Sequence, residues 1–193
     1  MSTRIVTGKC RASFARLMSP VRNELNGKEE YSVMLLIPKS DADTIAAIKG
    51  VCKEAIAGKW PTNVPKGLRN PLRDGDTETR SDGSPMGPEF AGHFFMNCKA
   101  DASKHTPEIV DKQGRKLIDH DAIVSGDYIR VSINGYAYDA SGNRGVAFGL
   151  NNVQLVEKGE PLGASKITAA QEFGIAAPAK TAVAAVTADD DWS

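Results

Sequence analysis

The chain has 193 residues, 41% hydrophobic and 25% charged, with a formal net charge of zero. That allows one buried core plus an appendage, and it excludes binding of nucleic acid by bulk positive charge. No apolar run approaches the ~18 residues of a membrane span, the start MSTRIVTGKC lacks the apolar stretch of a signal peptide, and Cys10, Cys52 and Cys98 form no C-x-x-C motif. A cytosolic protein with buried free thiols is expected. From Ala177 onward there are three acids and one base, leaving 23 basic against 21 acidic residues in a body of charge +2.

RIVTGKCRASFARL alternates loosely and predicts a half-buried strand, with Val6, Cys10, Ala12 and Phe14 on one face and Lys9, Arg11 and Ser13 on the other. NELNGKEE carries an Asn-Gly turn signal and leads into YSVMLLIP, apolar on both faces and ended by Pro38. Ser40 with Asp43 resembles a capping box. An amphipathic helix is then expected from Asp41 to about Ala57, with Ile45, Ile48, Cys52, Ala55 and Ile56 on its apolar stripe.

Lys59 to Gly92 is rich in Pro and Gly and far longer than the usual connection of about 4–6 residues. Its Trp60, Lys66, Arg69, Arg73 and Arg80 suggest a mobile basic flap, partly offset by Asp74, Asp76 and Glu78. HFFMNCKA reads as a short strand and PEIVDKQGRKLI as a hairpin around Gln113-Gly114. The stretch from Gly126 to Gly159 gives two long strands joined at Ser141-Gly142-Asn143. One helix among several strands is an α+β pattern with β dominant, most simply a small barrel. Beyond it, residues 176–188 show no clean apolar face and predict a flexible linker before the acidic end DDDWS.

Alternation places Arg130, Ser132, Asn134, Tyr136 and Tyr138 on one side of their strand, and His93, Phe95, Asn97 and Lys99 on the outer side of theirs. Aromatics beside cations suit single-stranded nucleic acid, because rings stack bases while Lys and Arg follow phosphates. Tyrosines simply suited to a sheet surface are the plainer reading, and the basic loop favours the nucleic-acid one.

Catalytic signals are poor: there is no Walker A, G-x-S-x-G or H-E-x-x-H sequence. His93, Cys98, His105 and His120 match no zinc spacing, and DGDTETRSDG lacks the pattern of an EF-hand. No metal or cofactor is implied. Asp111, Asp119, Asp121 and Asp127 leave one enzymatic alternative, a metal-dependent nuclease or recombination enzyme. A structural protein has no repeat or trimerisation signal in its favour.

NPLRDGD, GHFFMNCKA, TPEIVD, SGDYIRVSINGYAYDASGNRGVAFGLNNVQLVEKGEPLG and the acidic aromatic end together resemble a family of phage single-stranded DNA-binding proteins of the Enterobacter phage type, similar to those of T7-like phages. The block GYAYDASGNRGVAFGLNNVQ is its most specific part. The resemblance implies an oligonucleotide/oligosaccharide-binding (OB) fold, a five-stranded barrel with one amphipathic helix, and a role in phage replication and recombination in the cytoplasm of the infected bacterium. It also leaves room for weaker double-strand binding and for an oligomer. In the usual OB order the helix follows the third strand, whereas here it follows the second recognisable one; a bent first strand counted as two is one way to reconcile them.

The expected organisation is an OB domain over 1–163 and a linker with acidic tail over 164–193. Within the domain, Lys9, Arg11, Lys99, Arg130 and Arg144 are expected on phosphates, Phe95, Tyr136, Tyr138 and Trp60 on bases, and Arg69 and Arg73 closing over the strand. Asp189, Asp190, Asp191 and Trp192 are expected to contact replication or repair proteins, as the acidic tails of similar proteins do.

Overall fold

A computed structural model describes residues 3–24, 26–140 and 142–162. Among them lie β1 (Arg4–Val6), β2 (Cys10–Arg22), β3 (Glu29–Pro38), α1 (Ala42–Lys59), β4 (Arg73–Asp74), a 3-10 turn at Pro88–Phe90, β5 (His93–Asp101), β6 (Glu108–Val110), β7 (Tyr128–Ala140) and β8 (Asn143–Glu157). Five strands close a ring in the order β2-β3-β5-β8-β7, with β7 returning to β2. Neighbours run antiparallel except β5 and β8, which pair in parallel at Cys98–Phe148 and Lys99–Gly149. This ring is the five-stranded OB barrel that the sequence led us to expect. Strands β1, β4 and β6 are short additions on β7, β5 and β8.

Period-two alternation fills the ring. Leu35 and Ile37 of β3, Met96 and Cys98 of β5, Ile129, Val131 and Ile133 of β7, and Phe148, Leu150 and Val153 of β8 are each at most 2% exposed. On β8 the inward phase shifts after Leu150, where Asn151 is left over between the pairs Ile133–Leu150 and Ser132–Asn152. Burial pushes the Cys10 thiol up to about 11 and raises that of Cys98 further, so both are inert thiols inside the barrel.

The first predicted strand divides. Residues 7–9 break it into β1 and β2; β2 runs on through Pro20 to Arg22 as one strand of the ring, and β1 lies outside the ring. Helix α1 therefore follows the second ring strand. Val6 and Phe14, expected to face inward, are exposed: Val6 lies on the short added strand β1, and Phe14 lies where a bulge changes the phase of β2.

The helix starts one residue later than a Ser40–Asp43 box requires. Its cap is Asp41, whose Oδ1 accepts a hydrogen bond from Thr44 N at 3.1 Å, while the turn out of β3 takes up Ser40. Ile45, Ile48 and Val51 are buried where α1 packs against β7, with Cys52, Ala55 and Ile56 partly covered beside them.

The long basic connection is not a free flap. Lys39 Nζ holds Asp74 and Asp76 at 2.6 and 2.7 Å, Asp76 Oδ1 accepts from Gly92 N, and Arg69 N donates to Arg144 O at 2.9 Å. Hydrogen bonds from Lys39 keep both carboxyls below their ordinary range. The physical reason for the stitching is apolar: Leu36 and Phe95 point outward from the barrel and are covered by Phe90, with Met34, Met86 and Leu162 around them.

After β8 the chain turns back across the end of the barrel. The buried carboxylate of Asp127 accepts from Val124 N, Lys158 Nζ and Gly159 N. Beside it Gly126 has φ +114°, and a Cβ there would collide with the Glu160 carbonyl. Gly126→Ala is expected to cost about 2 kcal/mol or more and to lower the melting temperature by about 4–8 °C. Gly142→Ala, at φ +82° but with open space around it, should cost about 1 kcal/mol; thermal melts of both variants check the contrast.

Candidate functional site

The two long hairpins of the barrel, β2–β3 and β7–β8, frame an open groove on its outer face. Two contiguous depressions of roughly 500 Å³ each make it up. One is lined by Arg16, Arg22, Glu24, Ser32 and Lys99, the other by Lys28, Asp101, Lys104, His105, Asn134 and Tyr136, and both share Glu30 and Lys99. Pairing explains the convergence: Arg16 lies opposite Ser32, Ser32 opposite Lys99, Lys99 opposite Gly149, and Gly149 opposite Asn134. One row of outward residues thus crosses all five ring strands.

Glu30 organises the floor. Its carboxylate accepts from Lys99 Nζ at 2.9 Å, Asn23 Nδ2 at 2.8 Å and Asn26 Nδ2 at 2.9 Å. Burial by itself raises its pKa, but the three donors outweigh that and hold the carboxyl below 4.5. At the rim, Asp101 is pulled down to about 2 by Ser103 and Lys28, the latter at 3.0 Å. Tyr136, 47% exposed, stands over this network, its hydroxyl pKa raised by burial and by the nearby Glu30 and Tyr138. Among the described residues Arg16, Arg22 and Lys104 enter no ion pair.

Of the residues expected from the sequence, Lys99 and Tyr136 lie in the groove, and Tyr138 follows on the same face, half-buried. Arg144 sits near the β7–β8 tip, paired with Asp139 at 2.9 Å. Arg130 shares the outer face of β7 but its Nε donates to Thr7 O at 3.1 Å. Lys9 and Arg11 gather elsewhere, around the Tyr128 ring. Lys9 pairs with Glu157 at 3.3 Å, and Arg11 donates to the Gly126 and Glu160 carbonyls, so these two cations hold the returning chain.

Arg69 and Arg73 line a separate depression with Phe94 and Glu78, and Trp60 caps the end of α1 beside Lys59. Phe95 is a correction. It faces outward as expected but is wholly covered, with Phe90 at 5.1 Å edge-on and Arg73 at 4.4 Å over its ring. Uncovering it would cost about 1.5–3 kcal/mol of burial against about 1–3 kcal/mol for stacking one base, so no net gain is available.

Sequence reasoning missed Arg16, Arg22, Lys28, Glu30 and Lys104. The bulge in β2 hid the first, and the others sit in or beside turns, where alternation gives no face. The scattered aspartates form no cluster: Asp127 is buried among its own donors, and Asp111 pairs with Arg115 at 2.7 Å. Among the described residues no three His, Cys, Asp or Glu side chains gather as a metal site. The tail residues Asp189, Asp190, Asp191 and Trp192 lie outside the described residues.

The profile of a family described as Enterobacter phage Enc34, ssDNA-binding protein, matches residues 3–184, and the chain belongs to this family. No curated protein matches it. The fold is similar to the single-stranded DNA-binding protein from bacteriophage Enc34 in complex with ssDNA, with TM-score 0.69 and 20% identity, covering 83% of this chain and 89% of that one. A C-terminal truncation of that phage protein gives TM-score 0.65 and 21% identity over 82% and 87%. The crystal structure of gp2.5, a single-stranded DNA-binding protein encoded by bacteriophage T7, gives TM-score 0.59 and 18% identity over 96% and 100%.

The Glu30 network makes a pH prediction. A carboxyl held below its ordinary 4.5 in the folded state adds stability above that value, and the contribution disappears as pH falls through the folded pKa. Thermal melts from pH 6 down to pH 2.5 should show wild type losing stability below about 4.5 more steeply than Glu30→Gln; matching profiles would remove Glu30 from the account.

Proposed function

We propose that this member of the phage family binds single-stranded DNA without regard to sequence, protecting it during phage replication and recombination in the cytoplasm of the infected bacterium, and that it does so as a binding protein and not as an enzyme. The observation that carries the reading is the groove itself, in which an exposed tyrosine and a row of cations cross the outer face of an OB barrel. A strand lying there would meet Lys99, Arg16, Arg22 and Lys104 along its phosphates and Tyr136 and Tyr138 against its bases. Arg144 and Arg130 can each join by giving up a single protein partner. Neither stacking nor phosphate contact distinguishes one base from another, so the reading entails no sequence preference.

Lys99 enters through exchange. Its ammonium is held upright by Glu30, and a phosphate would replace one charge-assisted contact by another. The family relationship supports the same ligand, and no bulk positive charge is required, because the cations are concentrated where the strand passes. Weaker binding of double strands and self-association are compatible with an open groove of this kind. The domain is taken as 1–163, with 164–193 as a linker and an acidic end that recruits replication or repair proteins through Asp189, Asp190, Asp191 and Trp192.

Titration of an oligo-dT strand by tryptophan and tyrosine fluorescence tests the site. Tyr136→Ala with Tyr138→Ala should weaken binding at least about tenfold, and Arg16→Ala should reduce the slope of log affinity against log salt by about 0.7. Unchanged affinity in the first, or a slope near zero in wild type, would reject the assignment. For the tail, deleting Asp189 to Ser193 is expected to preserve or tighten oligo-dT binding while reducing co-precipitation of host replication proteins. A deletion that still melts like wild type but no longer binds DNA would overturn that division of labour.

A further inference from the structure

Among the described residues Phe14 is the one non-glycine with positive φ, at +47°, and its side chain is 65% exposed. Each of these is unfavourable for phenylalanine: the left-handed region crowds a bulky Cβ, and an exposed ring forgoes burial. Together they mark a residue whose ring is kept on the surface against the preference of its backbone. Such an outlier points from geometry toward use.

Its local cause is clear. Between the pairs Ser13–Met34 and Arg16–Ser32, β2 takes three steps while β3 takes two, and the extra residue falls at Phe14–Ala15. Ala15 N turns away to Ser125 Oγ at 3.0 Å. Cys10 and Ala12 point inward before the bulge and Leu17 after it, so an unbroken strand would have buried Phe14. A bulge needs only a spare residue, and Gly or Asn would fill this φ with less strain. The aromatic is therefore not explained by the turn in the chain.

Its position suggests what the ring meets. The pair that follows the bulge, Arg16–Ser32, continues to Lys99, the floor of the groove. Phe14 stands two residues from Arg16 on β2, and Tyr136 stands on β7, at the other side of the row. The four strand-to-strand steps from β2 to β7 by way of β3, β5 and β8 span about 19 Å of sheet, with Lys99 between and Arg16 beside Phe14 on β2. Two rings and two cations along that path match a short run of nucleotides, since an OB barrel takes about 4–16.

We infer that Phe14 is a second base-stacking platform, marking the β2 end of the path whose β7 end is Tyr136. This rests on the reading that the groove binds single-stranded DNA. Phenylalanine offers a π-face and no hydrogen bond, so it accepts any base and adds affinity without sequence preference. The strand then runs across the barrel strands from β7 to β2.

Two variants test it by oligo-dT titration, thermal melting and sedimentation velocity. Phe14→Asn suits the backbone and removes the ring; it should bind about tenfold more weakly with a melting temperature equal to or above wild type. Phe14→Trp keeps a ring and should bind within about threefold of wild type. If wild type binds and Phe14→Asn binds equally well, the inference is wrong. It is also wrong if Phe14→Asn keeps its affinity but sediments differently, for then the ring serves contact between protein copies. Equal loss in both variants would implicate the backbone and overturn the stacking role. Failure of wild type to bind at all would instead remove the reading of the groove, and this inference with it.

Discussion

Closure of the barrel depends on one short parallel contact, where Cys98 meets Phe148 and Lys99 meets Gly149. Without it β5 and β8, beyond the few residues that pair with β4 and β6, would each leave an unpaired edge, and the apolar residues of five strands would have no enclosed interior. With it, every second residue is committed to the inside and its neighbours to the surface. The same contact sets the floor of the groove. A Cβ on Gly149 would stand 3.0 Å from Asn134 Oδ1, so a larger residue would press on Asn134 and fill the floor between Lys99 and Tyr136. Closing the ring and leaving the groove open are a single constraint.

The outer face is then divided by the chemistry of β3. Leu36 points outward and would be exposed on a bare barrel, as would Phe95 opposite it on β5. The long connection solves this by lying over them, held by Lys39 on Asp74 and Asp76 and by Arg69 against β8. A few residues along the same two strands, Ser32 and Lys99 need no cover and receive none. One half of the sheet face is thereby roofed and the other left to solvent, and the transition follows the change from apolar to polar outward residues along β3 and β5.

Much of this was legible in the sequence because alternation is a strong signal on long strands. Ile129, Val131 and Ile133 against Arg130, Ser132 and Tyr136 could be sorted by parity alone, and YSVMLLIP announced a strand buried on both faces. What parity could not supply was the bulge in β2. A one-residue slip sends Phe14 outward and Leu17 inward, and no local residue type signals it. Phe95 failed differently: its face was right, but whether a face is open depends on what a distant segment covers, here Phe90 and Met86. Lys9 and Arg11 belonged to a basic strand and were assigned by charge, while their actual partners, the Glu157 carboxylate and the Gly126 and Glu160 carbonyls, lie more than a hundred residues away. The groove residues Glu30 and Lys104 sit where the chain turns, and turns carry no periodicity.

Zero net charge turns out to say little about the groove, because the charges there are not equivalent. Glu30 and Asp101 have carboxyl pKa values below the ordinary range and remain anionic at neutral pH, so they do not vanish when a polyanion approaches. Each instead positions a lysine, Lys99 or Lys28, whose side chain is about half exposed and turned to the rim. A phosphate that takes over such a lysine gains one charge-assisted contact and breaks another, which leaves a small net change. The favourable balance has to come from Arg16, Arg22 and Lys104, which among the described residues pair with no carboxylate, and from rings that stack. On the proposed reading, affinity is salt-dependent through these few unpaired cations, while the paired lysines set geometry. On the same reading, carboxylates in such a site moderate the binding of a polyanion.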